Sequence, residues 1–225
     1  MTNFFRKNGI YVAGVLVGIF VVLVSAQAIT NQKLSSLRYH IDNEITLQTA
    51  KVENLAKLIG NGKSNAKAEA LVKACASADN DLYENLLSKL DNGLGQSDLK
   101  TLNSLFDECG YVYANRRADM VYQFEYEVNN LLFLVQERNY FDGEKVGLLD
   151  NSLKWNELLL IEDNIRDNFL ELVVIQKHII TTLLAGETKD SYAVQALRED
   201  AEEVRTNLSE STKKASTLRS ELIKS

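Results

Sequence analysis

The two cysteines are the residues of this chain whose type and placement favour covalent chemistry. Cys75 and Cys109 are the only cysteines among its 225 residues. An even pair in an extracytoplasmic domain usually forms a disulfide. Closing the loop between Cys75 and Cys109 would contribute about 3–4 kcal/mol to the free energy of unfolding in the chain-entropy model. Two free buried thiols are the alternative, while a zinc site would need further Cys or His ligands nearby. We therefore predict a Cys75–Cys109 disulfide.

Catalytic chemistry has little support in the sequence. His40 and His178 are the only histidines, and they fall on different predicted helices. The chain has no H-E-x-x-H, no G-x-S-x-G and no Gly-rich phosphate loop. The acids near Asp79 lack the central glycine and the number of oxygens that a calcium loop needs. The sequence predicts no catalytic residue, no metal site, no cofactor and no enzymatic activity.

Aromatic side chains and two arginines are concentrated between residues 106 and 141. Tyr, Phe and Arg are enriched at recognition surfaces. The densest group is our candidate for partner binding and consists of Tyr111, Tyr113, Arg116 and Arg117. The alternative interpretation is that the phenylalanines belong to a core and that the tyrosines are half-buried.

An uncharged apolar segment, residues 10–29, determines where the elements lie relative to a membrane. As a helix it would span roughly 30 Å, the thickness of a bilayer's hydrocarbon core. Arg6 and Lys7 precede it, which favours a cytoplasmic N-terminus, residues 1–9, and an extracytoplasmic domain, residues 30–225. Ala26 and Ala28 form an A-x-A pattern, so a signal peptide cleaved at Ala28 and a secreted product are the alternative.

Beyond residue 29 the pattern is that of helices. The chain contains no proline, and apolar residues recur at steps of three and four, as on one face of a helix. Glycines fall in or beside short polar gaps, where they end helices. We predict an all-α fold: a transmembrane helix that continues into an antiparallel bundle of long helices, with a small helical insertion at 65–110. The insertion is expected to end where Gly110 breaks the helix.

The last helix carries the most regular pattern. Its apolar positions alternate steps of four and three residues, which is a heptad stripe typical of coiled coils. The predicted helix-packing seam comprises Leu197, Val204, Leu208, Leu218 and Leu222. A short connection at Gly186 favours packing of this seam within the chain over pairing with a second copy.

Charge and layout limit the class of function. When Arg6 and Lys7 are left out, the chain has 23 basic and 31 acidic residues, so the outer part has a net charge of −8. This charge argues against nucleic acid as a partner. One span followed by a helical bundle resembles the layout of several bacterial envelope proteins, including chemoreceptor-type sensor domains and LemA-type proteins. We expect a structural or interaction protein of the cell envelope that binds another envelope protein or itself. The alternative is a sensory or ligand-binding domain that acts through a membrane-spanning partner.

Overall fold

The structure, a computed structural model, describes residues 2–60, 79–142 and 146–223. Within these ranges, the side chains before residue 27 and those at 28–29, 79–81, 112–113, 141–142 and 146–148 lie outside the description. The α-helices are α1 (Thr2–Gly60), α2 (Asp79–Lys89), α3 (Gln96–Leu105), α4 (Tyr111–Asp142), α5 (Val146–Leu184) and α6 (Tyr192–Leu222). A 3₁₀ turn, Leu90–Asn92, follows α2, and a π-helical turn, Phe106–Gly110, joins α3 to α4.

The outer half of α1 packs with α4, α5 and α6 as an up-and-down four-helix bundle. Gln48 of α1 donates a hydrogen bond to the Glu127 carbonyl (2.9 Å), and Arg138 of α4 donates one to Asp42 of α1 (2.6 Å). The later residue of α1 therefore contacts the earlier residue of α4, so the two helices are antiparallel. The described residues contain helices and no strand, so the predicted all-helical bundle is confirmed.

The turn between α5 and α6 explains why these two helices are antiparallel neighbours. Gly186 has a φ of 104°, and the Gly186 and Glu187 amides bond the carbonyls of Leu183 and Thr182 (3.2 and 3.3 Å). This is a Schellman ending, which favours glycine at the left-handed position. Ser191 then caps α6 by accepting a hydrogen bond from the Val194 amide (3.4 Å).

The predicted helix break at Gly110 is wrong, because the helical path from Gln96 to Asp142 is continuous through the π-helical turn. Gly110 is buried there for a different reason. A β-carbon at this position would lie 3.1 Å from the Tyr83 hydroxyl and 3.2 Å from the Phe106 ring. The glycine lets α2 approach the wide turn closely, and the helical path continues through this turn from α3 into α4.

Two hydrophobic cores follow one another along the bundle. The lower core lies among α1, α4, α5 and the end of α6, and includes Val52, Phe124, Val128, Trp155, Leu158 and Ala215. The upper core lies among α2, α3, the π-helical turn, the top of α5 and the start of α6, and includes Leu102, Phe106, Ile179, Ile180, Val194 and Ala201. Leu208 of α6 packs against both. Beyond the end of α1, the short helices α2 and α3 therefore contribute the side chains that pack with the top of α5.

Two predictions about the N-terminal part fall largely on residues that the structure does not describe. Among the residues that were open to the test, no helix combines the length and the apolar character needed to cross a membrane. The backbone of residues 10–29 is helical as part of α1, and nearly all of their side chains lie outside the description. The part of the predicted insertion from 65 to 78, which includes Cys75, also lies outside the described residues.

Candidate functional site

A buried carboxylate lies within the lower core, between Leu158 and Ile165 of α5. Glu162 of α5 is 1% exposed. Arg117 of α4 donates a hydrogen bond to its Oε2 (3.2 Å), and Arg219 of α6 donates one to its Oε1. Three helices are therefore joined by one Arg–Glu–Arg cluster. Arg219 also lies against Gly60, the last residue of α1, which places the fourth helix at the same level.

The electrostatics of this cluster indicate a structural role. Burial lowers the pKa of Arg117, while Glu162 raises it and Arg219 lowers it again. Both oxygens of Glu162 accept bonds from guanidinium groups, so neither is directed at a substrate. Charged side chains at fixed positions on three helices discriminate between registers, because a shifted helix would leave a buried charge without its partner.

The predicted partner-binding residues whose side chains the structure describes are partly buried. Tyr111 is partly buried and meets the Phe106 ring edge-on, with centroids 5.8 Å apart. Arg117 is bound to Glu162, and Arg116 is partly buried. The side chain of Tyr113 lies outside the described residues. Of this group, the described side chains form no exposed aromatic surface.

A different set of aromatic residues on α4 is exposed. We call it the aromatic ridge, and each member has more than half of its surface in solvent: Tyr122, Tyr126, Phe133 and Tyr140. At about 100° per residue the four lie within about 40° of one another around the helix, over a length of about 27 Å. The opposite side of α4 carries the core residues Val121, Phe124, Val128, Leu131 and Val135. The aromatic-rich region was visible in the sequence, and the signal that separates ridge from core is the seven-residue step from Tyr126 to Phe133 to Tyr140.

The upper end of the ridge is held in place by a cation. The Arg166 guanidinium of α5 lies over the Tyr122 ring, 4.9 Å from its centroid. Arg166 is fixed in turn by Asp163 (2.7 Å) and Asp167 (2.9 Å). Burial raises the pKa of Asp163, while Arg166 lowers it. Beside the ridge, a groove of about 550 Å³ runs between α1 and α4 and is lined by Lys51, Leu55, Tyr126 and Glu127.

The predicted packing seam of α6 lies at the interface with α5. The seam of α6 faces α5 and both cores, with Val204, Leu218 and Leu222 buried and Leu197 and Leu208 partly buried. Within the described ranges there is no free cysteine, and no three His, Cys, Asp or Glu side chains gather as a metal site would require.

Cys109 lies in the π-helical turn with 1% of its surface exposed. The disulfide with Cys75 stays a prediction, since Cys75 is not among the described residues. His40 and His178 are both exposed and lie on α1 and α5.

Comparison with protein-family models, with curated proteins and with solved structures finds no match for this chain.

Proposed function

We propose that the protein is a membrane-tethered, extracytoplasmic helical bundle with a structural or protein-interaction role and no catalytic activity, and that the aromatic ridge of α4 is its docking surface. The ridge is the observation that carries the proposal. Monomeric proteins rarely leave large apolar side chains aligned in solvent, and aligned aromatic residues mark protein-interaction sites. The tether is supported by the uncharged residues 10–29 and by Arg6 and Lys7, with secretion after cleavage at Ala28 as the alternative.

The charge around the ridge favours a partner that differs from this chain. Between Ala118 and Glu137, α4 carries four acids and neither Lys nor Arg. Two copies meeting along α4 would bring these acids against one another, which costs free energy. The nearby cations are Arg166 of α5, over Tyr122, and Lys51 of α1, in the groove. The surface therefore suits an apolar face flanked by Lys or Arg on another envelope protein better than it suits a second copy.

Photocrosslinking in intact membranes tests the docking surface. A benzophenone amino acid in place of Tyr126, Phe133 or Tyr140 is expected to give one discrete adduct, because these positions are buried under the partner. The matched control positions are Glu203 and Asn207, which are exposed on α6, and they should give none. Adducts of equal yield from ridge and control positions, or none from the ridge, would overturn the proposal, and an adduct of twice the chain's mass would identify self-association.

A second variant separates docking from folding. Changing Phe133 to Ala removes ridge area from a residue that is 59% exposed. Surface changes of this kind alter stability by about 0.5 kcal/mol or less. The adduct from a probe at Tyr126 should nevertheless be lost, while the unfolding midpoint stays where it was.

The disulfide belongs to the same proposal, because it requires an oxidising compartment. In the unreduced, denatured protein a thiol-alkylating reagent is expected to label neither Cys75 nor Cys109. Replacing both by Ser should lower the free energy of unfolding by about 3–4 kcal/mol and preserve helicity, since the long helices do not depend on the bond. Labelling of both thiols in protein isolated under non-reducing conditions would refute the bond and weaken the extracytoplasmic placement.

The alternative function, a sensory or ligand-binding domain acting through a membrane-spanning partner, is favoured by one observation. All four helices of the bundle contribute to a cavity in the lower core, lined by Ile45, Leu131, Trp155 and Leu222 among others. Ligand sites of helical bundles lie between facing helices in this way.

A further inference from the structure

The cavity in the lower core has a volume of about 220 Å³. Its apolar wall consists of five buried side chains, which are Ile45, Leu131, Val135, Trp155 and Leu222. The Trp155 ring is held edge-on against Phe124, with centroids 6.4 Å apart. A tightly packed wall of this kind presents a fixed shape to a ligand, because its side chains are already locked by their neighbours.

The size of the cavity limits the ligand. An engineered protein cavity of about 150 Å³ accepts benzene, which corresponds to about 25 Å³ per heavy atom. By the same measure this cavity holds about nine heavy atoms. An aromatic ring with a short side arm fits, whereas a nucleotide or a sugar chain does not.

Thr49, Glu53, Asn151 and Ser152 line the polar side of the cavity, and each offers at least one acceptor oxygen, while the Asn151 amide also carries donors. Thr49 and Ser152 donate their hydroxyl hydrogens to the carbonyls of Ile45 (2.8 Å) and Leu149 (2.7 Å), which leaves oxygen lone pairs for the cavity. Glu53 adds a carboxylate. Its partner Lys57 is 3.8 Å away and nearly half exposed, and such surface pairs are weak and readily exchanged. A ligand that donates hydrogen bonds and carries a positive charge satisfies this set.

We propose that the cavity binds a small primary arylalkylamine, with its ring against Trp155 and its ammonium group on Glu53 in place of Lys57. The ring replaces water along the apolar wall, and the ammonium has one donor each for Glu53, Thr49 and Ser152. This inference goes beyond the docking surface, because the two lie on different faces of α4 and neither requires the other.

Trp155 is the only tryptophan of the chain, so its fluorescence reports on this cavity directly. Full-length protein in detergent is titrated with phenethylamine, phenethyl alcohol and hydrocinnamate, which have similar bodies and differ in charge. Phenethylamine is expected to give a saturable change, the alcohol to bind about tenfold more weakly, and the acid not to bind, because a charge-assisted hydrogen bond is about twice as strong as a neutral one.

Two variants assign the ammonium to its partner. Glu53→Gln keeps the shape of the side chain and should weaken phenethylamine about tenfold while leaving the alcohol unchanged. Glu44→Gln, at an exposed position of the same helix that does not line the cavity, should change neither. Equal responses to all three probes, no response of Trp155 to any of them, or an unchanged affinity in Glu53→Gln would each overturn the proposal.

Discussion

Replacing Glu162 by Gln is expected to lower the free energy of unfolding by about 3–5 kcal/mol, because it leaves two partly buried guanidinium groups without their buried counter-charge. Arg219 has 12% and Arg117 28% of its side chain exposed, so water can replace the carboxylate only in part. Urea unfolding of the full-length chain, followed by far-UV circular dichroism, measures the loss. The control is Glu221→Gln, which removes a pair with Lys154 that is 4.0 Å long and about half exposed and should cost less than about 1 kcal/mol.

A triple variant then distinguishes the cost of an unpaired buried charge from the contribution of the cluster as a whole. Changing Arg117, Glu162 and Arg219 together to apolar residues of similar size removes the cluster without leaving an unpaired charge. Such replacements are often neutral or stabilising, so the triple variant should be at least as stable as the parent. If Glu162→Gln costs no more than Glu221→Gln, the cluster does not join the helices as the geometry indicates.

Periodicity predicted the helices and most of the core, because a stripe at steps of three and four must face the interior of a bundle. Val121, Phe124 and Val128 follow one another at steps of three and four residues, and all three are fully buried. The cluster around Glu162 was not predictable in the same way. Its partners lie 45 and 57 residues away, and a single Glu inside an apolar stripe is normally solvated.

Gly110 illustrates a second limit. Local propensity treats glycine as a helix breaker, but the contact that requires a glycine here comes from Tyr83 on another helix. The same holds for the binding residues. Composition located the aromatic-rich stretch, and the seven-residue step from Tyr126 to Phe133 groups the ridge residues on one face of α4. That Tyr111 and Arg117 turn inward depends on their contacts with Phe106 and Glu162, which local sequence does not show.

The second large effect is expected at Phe106, in the π-helical turn. Its ring is fully buried and packs against Tyr83 and Tyr111, at centroid distances of 6.1 and 5.8 Å, and the Lys177 ammonium lies 5.8 Å from its centre. Phe106→Ala opens a cavity among these groups and should cost about 3–5 kcal/mol of unfolding free energy. The matched control is Phe133→Ala, the same change further along the same continuous helical path, where the exposed side chain should matter by about 0.5 kcal/mol or less.

Hydrogen exchange identifies the segments whose local stability the Phe106→Ala change lowers. Because the upper core is built largely from α2, α3 and the top of α5, amides in those segments should lose protection first. Amides around Val52 and Val128 should keep theirs, since these residues belong to the lower core and Phe106 belongs to the upper one. Equal loss of protection in both cores would mean that the two cores unfold as one cooperative unit, coupled through α5, α6 and the Leu208 side chain that packs against both.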